Sequence, residues 1–494
     1  MPKRKREGLA GSPPPKKTAL ESSPPFSPLT IQIIAGSYER VLHGVTATLP
    51  STEDGTAKFE DAFLIQPHMS RITSLAVSPA SDSSKRFLAT GSADERINLY
   101  QISGNAPSTK SKAAKNSTKL SSTGNRELGS LLHHNAQVTN LLFDGRNKLF
   151  SAAEDNTIAI TRLRDMTTLS TIKVPLPKTQ NRPSGDTAAV NDLPKGVNSF
   201  AAHPSMKLMV SVGRGERCMR LWNLTTGKKA GVLDFDRSTL AQVGEGKFSK
   251  GEGVSVQWDS EGEEFVVAFE RGALIFGMDA RPKAKLITKE KTKLHRIQYL
   301  DVKVGEGDSE GGKKRVLAIS TEDGRVLFFS TDVSSNQANG EADSEESKSE
   351  SQSKDAELPD CVLLAQLGGH AAGVTVRIKD FEILESEGKL FVVTASSDGT
   401  LRVWSLDAED LLLSTQNGSN GTMDGKSDGN GETSKPTAAA KQVGKLLGTY
   451  ETENRIICMA AFVMDPPSQT TAEEDDDVVV DGEEDESSED EDSE

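Results

Sequence analysis

The stretch TASSDGTLRVW, residues 394–404, reads as a strand, a tight turn and a second strand closing on tryptophan, with Asp398 six positions ahead of Trp404. The chain repeats this arrangement. A repeated unit constrains a fold more than any single motif, because each copy must bury its apolar face against a neighbour. SADERINLY (92–100), AEDNTIAIT (153–161), RGERCMRLW (214–222) and TEDGRVLFF (321–329) share the pattern, and FERGALIF (269–276) is a shortened copy. The acids are Asp94, Asp155, Glu216, Glu270, Asp323 and Asp398, and the closing residues Tyr100, Thr161, Trp222, Phe276, Phe329 and Trp404. An acid in a tight turn between alternating apolar residues is a hairpin signal. Its carboxylate fixes the turn by accepting nearby backbone N–H groups, and the aromatic fills the layer between packed sheets.

Upstream of each hairpin lies another alternating segment: RITSLAV (71–77), QVTNLLF (137–143), GVNSFAA (196–202), GVSVQW (253–258), RIQYLDV (296–302) and GVTVRI (373–378). His68, His134, His295 and His370 precede or open four of these. A seventh copy is split. RIICMAAFV (455–463) matches a first strand, IQIIAGSYERVLHGVTATL (31–49) a second and third with Glu39 at the acid position, and AFLI (62–65) an outer strand. Joining the two ends closes a ring and removes the exposed edges that invite aggregation. Four strands per unit at a period near 40–50 residues is the WD40 pattern. The expected fold is therefore all-β, a seven-bladed WD40 propeller whose last blade is closed by N- and C-terminal strands. Asp398, Thr394 or Ser396, and His370 are expected to form a buried hydrogen-bonded set with the Trp404 indole, making His370 a scaffold residue.

Charge sets the domain boundaries. Residues 473–494 hold 15 Asp or Glu and no Lys or Arg; removing these from the 73 acids of the chain leaves 58, equal to its 58 Lys plus Arg. Such a block self-repels. The expected division is a disordered basic arm over 1–29, a propeller over 30–466 and a disordered acidic tail over 467–494. The tail is expected to solubilise or to engage basic partners, and Ser487, Ser488 and Ser493 suit an acidophilic kinase. In the arm, Lys3, Arg4, Lys5, Arg6, Lys16 and Lys17 form two basic clusters that read as a nuclear-import signal. Polar insertions near 103–127, 175–195, 332–359 and 407–440 are expected to be disordered loops between blades. Three cysteines fit a reducing compartment rather than a disulfide framework or zinc site. No apolar run approaches the roughly 18–20 residues of a bilayer span. A soluble intracellular protein with no membrane contact is expected.

Candidate chemistry is sparse. GDSEGGK (307–313) matches a phosphate loop only until Lys314 replaces the Ser or Thr that would hold magnesium, and a strand follows instead of a helix. The histidines do not cluster with cysteines or acids at metal-ligand spacing. No catalytic residue, cofactor or metal is expected. What remains is a surface. Just before the innermost strands stand Arg71, Gln137, Gly196, Gly253, Arg296, Gly373 and Arg455. Arg71, Arg296 and Arg455, with Gln137, would ring one mouth of the channel, suited to acidic or aromatic partners.

IIAGSYERVLHGV (33–45), GSADERINLY (91–100), LFSAAEDNTIAI (149–160), VSVGRGERCMRLWNL (210–224) and VVTASSDGTLRVWSL (392–406) carry a resemblance. Over roughly residues 31–465 the chain resembles the WD40 family of the p21-activated kinase-interacting protein, whose fungal counterpart is the maintenance-of-killer protein eleven. The resemblance implies a nuclear or nucleolar factor for assembly of the large (60S) ribosomal subunit and pre-rRNA maturation. Its implied partners are pre-60S particle proteins, a ribosomal-like placeholder protein and, indirectly, pre-rRNA, with the chain a monomer within that larger assembly. The alternative is an adaptor that binds and restrains a p21-activated kinase. The acidic tail departs from animal relatives, which end in a Lys-rich tail. A ubiquitin-ligase receptor would carry Trp-Asp-x-Arg at a blade end, but Trp404 is followed by Ser405-Leu406 and Trp222 by Asn223-Leu224.

Overall fold

Seven antiparallel sheets stand around a common axis, each built from alternating apolar runs punctuated by tight turns. The computed structural model describes residues 29–50, 55–81, 84–107, 125–177, 195–246, 249–303, 313–332, 357–386, 388–412 and 441–466. From channel to rim, blade 1 is Ile72–Val77, Lys85–Ser92, Ile97–Ser103 and Arg126–Leu131. Blade 2 is Val138–Asp144, Lys148–Ala153, Thr157–Arg162 and Thr167–Lys173. Blade 3 is Val197–Ala202, Leu208–Gly213, Cys218–Asn223 and Lys228–Asp234. Blade 4 is Ser255–Trp258, Glu264–Ala268, Gly272–Gly277 and Pro282–Ile287. Blade 5 is Leu294–Lys303, Lys313–Thr321, Arg325–Ser330 and Val362–Gly368. Blade 6 is Ile378–Ser386, Lys389–Ser396, Thr400–Leu406 and Lys445–Glu451.

Blade 7 is Ile456–Val463, Thr30–Ser37, Leu42–Thr48 and Lys58–Ile65. Its first strand comes from one end of the propeller and the other three from the opposite end. The seam is a continuous ladder in which Ile34 faces Ala460 and Ser37 faces Ile456. Inner strands of neighbouring blades touch all the way round, blade 7 meeting both blade 6 and blade 1. The core lies between blades. Ile31, Ile33 and Val45 of blade 7 pack on Val393, Leu401 and Val403 of blade 6. Ile34, Leu42 and Phe63, on the opposite face, pack on Ile72, Leu88 and Tyr100 of blade 1. Period-2 alternation thus serves two interfaces at once, one per face. Blade 4 lacks a closing Trp, and its interface with blade 3 is filled instead by Trp258, Phe265, Phe269 and Phe276 with Phe235, the Phe265 and Phe276 rings stacked 5.3 Å apart.

The structure corrects three expectations. The segment GVTVRI is not the first strand of blade 6, which begins at Ile378. Val374 is buried, but the segment leaves a left-handed Gly373 and bends at Val376, and it pairs with no strand before Ile378. The first strand of blade 5 begins at Leu294, earlier than RIQYLDV suggests. Three of the four insertions open inside blades, between third and fourth strands: after Ser103, Ser330 and Leu406. Only the 175–195 segment joins two blades. The reason is geometric: the third-to-fourth turn sits at the periphery, where added residues leave the inner strands undisturbed. The chain returning after the last insertion adds Lys441–Gln442 as a fifth, parallel strand on the rim of blade 5 before completing blade 6. Two short helices were not legible, Arg237–Gln242 and Ala408–Leu412, and each buries one leucine, Leu240 and Leu411. The basic arm and the acidic tail from 467 onward lie outside the described residues, as do most of the four insertions.

Candidate protein-interaction face

Each blade's first strand descends from one rim of the channel, here called the upper rim. Turns between second and third strands and the connections between blades gather there. The acids of the repeat all sit in those turns. Asp94 accepts the Arg96 N–H at 3.1 Å, Asp155 the Thr157 N–H at 2.9 Å and Asp398 the Thr400 N–H at 3.0 Å. Asp323 instead pairs with Arg325 and Glu216 with Arg220. Glu270 reaches Lys293 of the next blade at 3.1 Å. Glu39 accepts the Arg455 N–H at 2.9 Å, so its carboxylate clasps the seam of blade 7.

In blades 1 and 2 the acid joins a buried network. His68 Nδ1 lies 3.2 Å from Asp94 and its Nε2 2.8 Å from Thr90 Oγ1. His134 Nδ1 lies 3.2 Å from Asp155 and its Nε2 2.8 Å from Ser151 Oγ. A hydroxyl, an imidazole and a carboxylate in sequence is the constellation of nucleophilic catalysis. Here Thr90 and Ser151 are 0% exposed, so no substrate carbon can approach either hydroxyl. The networks hold the inter-blade connection to the hairpin, as a fully satisfied buried polar set does. Burial pushes the His68 imidazole down, against Asp94, which raises it. Burial also pushes the Asp155 carboxyl up, but hydrogen bonds from His134, Thr157 and the Asn135 N–H outweigh it and hold Asp155 below the usual carboxylate range.

The tryptophans take a simpler arrangement. Trp222 Nε1 donates to Ser211 Oγ at 2.8 Å and Trp404 Nε1 to Thr394 Oγ1 at 3.2 Å. His370 takes no part in the Trp404 set, which corrects the sequence expectation. It is exposed, in the turn His370–Ala372 between Gly369 (φ 82°) and Gly373 (φ 75°). His68 and His134 stand four residues before their strands, whereas His370 stands eight before Ile378, too far back to reach the hairpin.

At the upper rim Arg71 Nη2 donates to Gln137 Oε1 at 2.6 Å, joining the register positions of blades 1 and 2. Arg455 lies over the Tyr38 ring, 5.7 Å from its centroid. Arg296 is not at this register, a second correction. The Ala93, Glu322, Ser397 and Tyr38 N–H groups donate to the carbonyls of Arg71, Lys293, Arg377 and Arg455, which identifies the equivalent positions. Blade 5 therefore presents Lys293, and blade 6 presents Arg377, which the sequence reading missed. Arg296 lies three residues deeper and pairs with Asp380 at 3.3 Å and Glu382 at 3.9 Å. The shared dipeptide Arg-Ile misled the alignment at 296–297; the same dipeptide at 377–378 was the usable signal for Arg377. The channel mouth here encloses about 510 Å³, lined by Arg71, Gln137, Arg214, Glu252, Glu270 and Lys293 among others. Tyr38, Met69 and Leu132 stand 51%, 77% and 70% exposed on the same side. Exposed aromatic, Met and Arg side chains over a rigid scaffold are the composition of a protein-binding surface.

The WD domain, G-beta repeat family matches residues 361–405. That span takes the outer strand of blade 5 and the first three strands of blade 6, so the sequence repeat is out of phase with the blade and each copy bridges two sheets. Fold and repeat together define a WD40 β-propeller. The p21-activated protein kinase-interacting protein 1-like of Gallus gallus is 26% identical over 76% of this chain and 73% of its own length. Protein MAK11 of Saccharomyces cerevisiae is 26% identical over 77% and 79%. Shk1 kinase-binding protein 15 of Schizosaccharomyces pombe is 23% identical over 60% and 68%. Along most of its length the chain is thus similar to the p21-activated kinase-interacting proteins and MAK11, and it carries the WD40 repeat.

Proposed function

We propose that this chain is a non-catalytic scaffold that docks protein partners during nucleolar assembly of the large ribosomal subunit. The observation that carries the scaffold reading is the pairing of two features. Its hydroxyl–imidazole–carboxylate sets are sealed inside blades 1 and 2, while Tyr38, Met69, Leu132, Arg71 and Arg455 face outward on one rim. The assembly role is supported by similarity to MAK11 along the propeller and by the basic clusters at Lys3–Arg6 and Lys16–Lys17, which read as a nuclear-import signal. The acidic tail is read as a soluble extension able to hold basic partners. Purification of the tagged chain from cells at low salt tests the role: it is expected to bring down large-subunit precursor rRNA and its assembly proteins. Recovery of a protein kinase without rRNA would replace it with the second reading, kinase binding, which the names of the Gallus gallus and Schizosaccharomyces pombe relatives favour.

A further inference from the structure

Lys379 occupies the bulge in the first strand of blade 6. Blades 1, 2 and 3 place Thr73, Thr139 and Asn198 at that position. Those three side chains bridge to the next blade, donating to the carbonyls of Val138, Val197 and Gly253 at 2.6, 2.6 and 2.8 Å. Lys379 makes no such bridge among the described residues, and the charges around it are mostly cationic. Burial first, then Arg377, Lys293 and Arg455, push its ammonium down to about 8, with Glu322 opposing. His295, at the equivalent position of blade 5, is pushed down to about 3 by burial and then by Lys379, Lys293 and Arg377. Its Nε2 is buried without a hydrogen-bond partner. Among the described residues Lys293 is answered by Glu270 at 3.1 Å and Arg377 by Glu322 at 3.7 Å, while the Arg455 guanidinium lies over Tyr38. Lys293, Arg377 and Arg455 hold the same register at the starts of blades 5, 6 and 7, and Lys379 follows two residues after Arg377, so three blades bring four cations onto one arc of the upper rim. Like charges held close together sum to a positive potential, and an arriving anion relieves their mutual repulsion.

The geometry points to a docking site for a short oxyanion-bearing peptide of a protein partner: Lys293, Arg377, Lys379 and Arg455 receive its carboxylate or phosphoryl group, and Tyr38 flanks it. A nucleic-acid strand fits less well. It needs a continuous basic track with stacking aromatics, whereas Glu245, Glu252 and Glu270 line the mouth on the side of blades 3 and 4. An anion entering over blades 5 to 7 is attracted by the arc and kept to it by those acids. This inference rests on the scaffold reading and supplies its face and partner chemistry.

The test is fluorescence anisotropy with the full chain and four labelled probes: a 12-residue Asp/Glu-rich peptide, its Asn/Gln counterpart, a phosphoserine peptide with neutral flanks, and a 12-nucleotide uridine RNA. At least one anionic peptide is expected to bind at least about tenfold tighter than the Asn/Gln peptide, with affinity falling as salt rises. Whether the Asp/Glu or the phosphoserine probe binds tighter identifies the oxyanion. K379E/R455E is expected to weaken binding by about tenfold or more, K379R to retain it, and K229E on the rim of blade 3 to leave it unchanged. Thermal unfolding by circular dichroism checks each variant. Should the double variant fail to fold, Lys379→Met with the same probes takes its place, with a loss of about threefold or more expected. Equal binding of the anionic and neutral peptides overturns the proposal, as does an unaltered affinity in the folded variants. Tighter binding of the RNA, lost in the same variants, reassigns the arc to nucleic acid. Peptide binding is read on purified protein, so it can fail while the rRNA purification succeeds, and the reverse.

Discussion

Single side chains at the inter-blade joints carry consequences that can be measured. His133 lies beside His134, with its Nε2 3.0 Å from Ser151 Oγ, and burial followed by the His134 charge pushes it down to about 4. An unfolded histidine takes its proton near pH 6.5. As pH falls from there towards 4, the unfolded chain binds a proton that the folded one refuses, so stability drops. A loss on the order of 2 kcal/mol is expected for this residue between pH 7.5 and 4.5. The urea midpoint should fall over that range, and His133→Asn should fall less; parallel curves would show that His133 is not responsible. The tryptophan joints are a second case. Thr394→Val keeps the shape but leaves the Trp404 indole N–H unpaired in a buried layer, at a cost of about 1–3 kcal/mol. His370→Ala, at an exposed turn, should change stability by no more than about 0.5 kcal/mol. Chemical denaturation of the two variants side by side separates a joint residue from a surface one.

At the level of the strand and the blade, closure decides behaviour. The ladder between Thr30–Ser37 and Ile456–Val463 protects an apolar strand whose eight residues are all buried. A chain ending at Arg455 would leave that strand's edge unpaired, which invites association with other chains. It is expected to elute as large oligomers on size exclusion, where the full chain elutes as a monomer; a monomeric truncated chain would show that the seam is dispensable. Much of this element was readable in advance, because RIICMAAFV matches the first strand of the other copies and IQIIAGSYERVLHGVTATL a second and third with Glu39 at the acid position. The readings that failed share a physical cause. Alternation does not by itself report pairing, so GVTVRI passed for a strand while the true one, IKDFEILES, alternates less cleanly because Asp380 and Glu382 enter the channel wall to meet Arg296. The cationic arc was visible only at Arg455, for a different reason. Lys293, Arg377 and Lys379 become neighbours of Arg455 only when three blades converge, and no local spacing encodes that.

Across the whole molecule, burial is greatest in the second strands and falls off toward the rim. The outer strands Thr167–Lys173 and Lys228–Asp234 are mostly exposed, whereas Leu208–Gly213 and Glu264–Ala268 in second position are almost wholly buried. Hydrogen exchange should follow that gradient, with second-strand amides opening only on global unfolding and outer-strand amides exchanging at least about a hundredfold faster. Uniform protection across each sheet would contradict it. The ring also imposes an order of events on biosynthesis. Ser37 is translated roughly 420 residues before its ladder partner Ile456, a delay on the order of 20–80 s at cellular elongation rates. Throughout that interval one edge of a nascent, largely apolar strand waits for a companion not yet made, so the first propeller strand synthesised is the last to be paired on both edges, and a chaperone able to shield residues 30–48 during translation would set the yield of the finished ring.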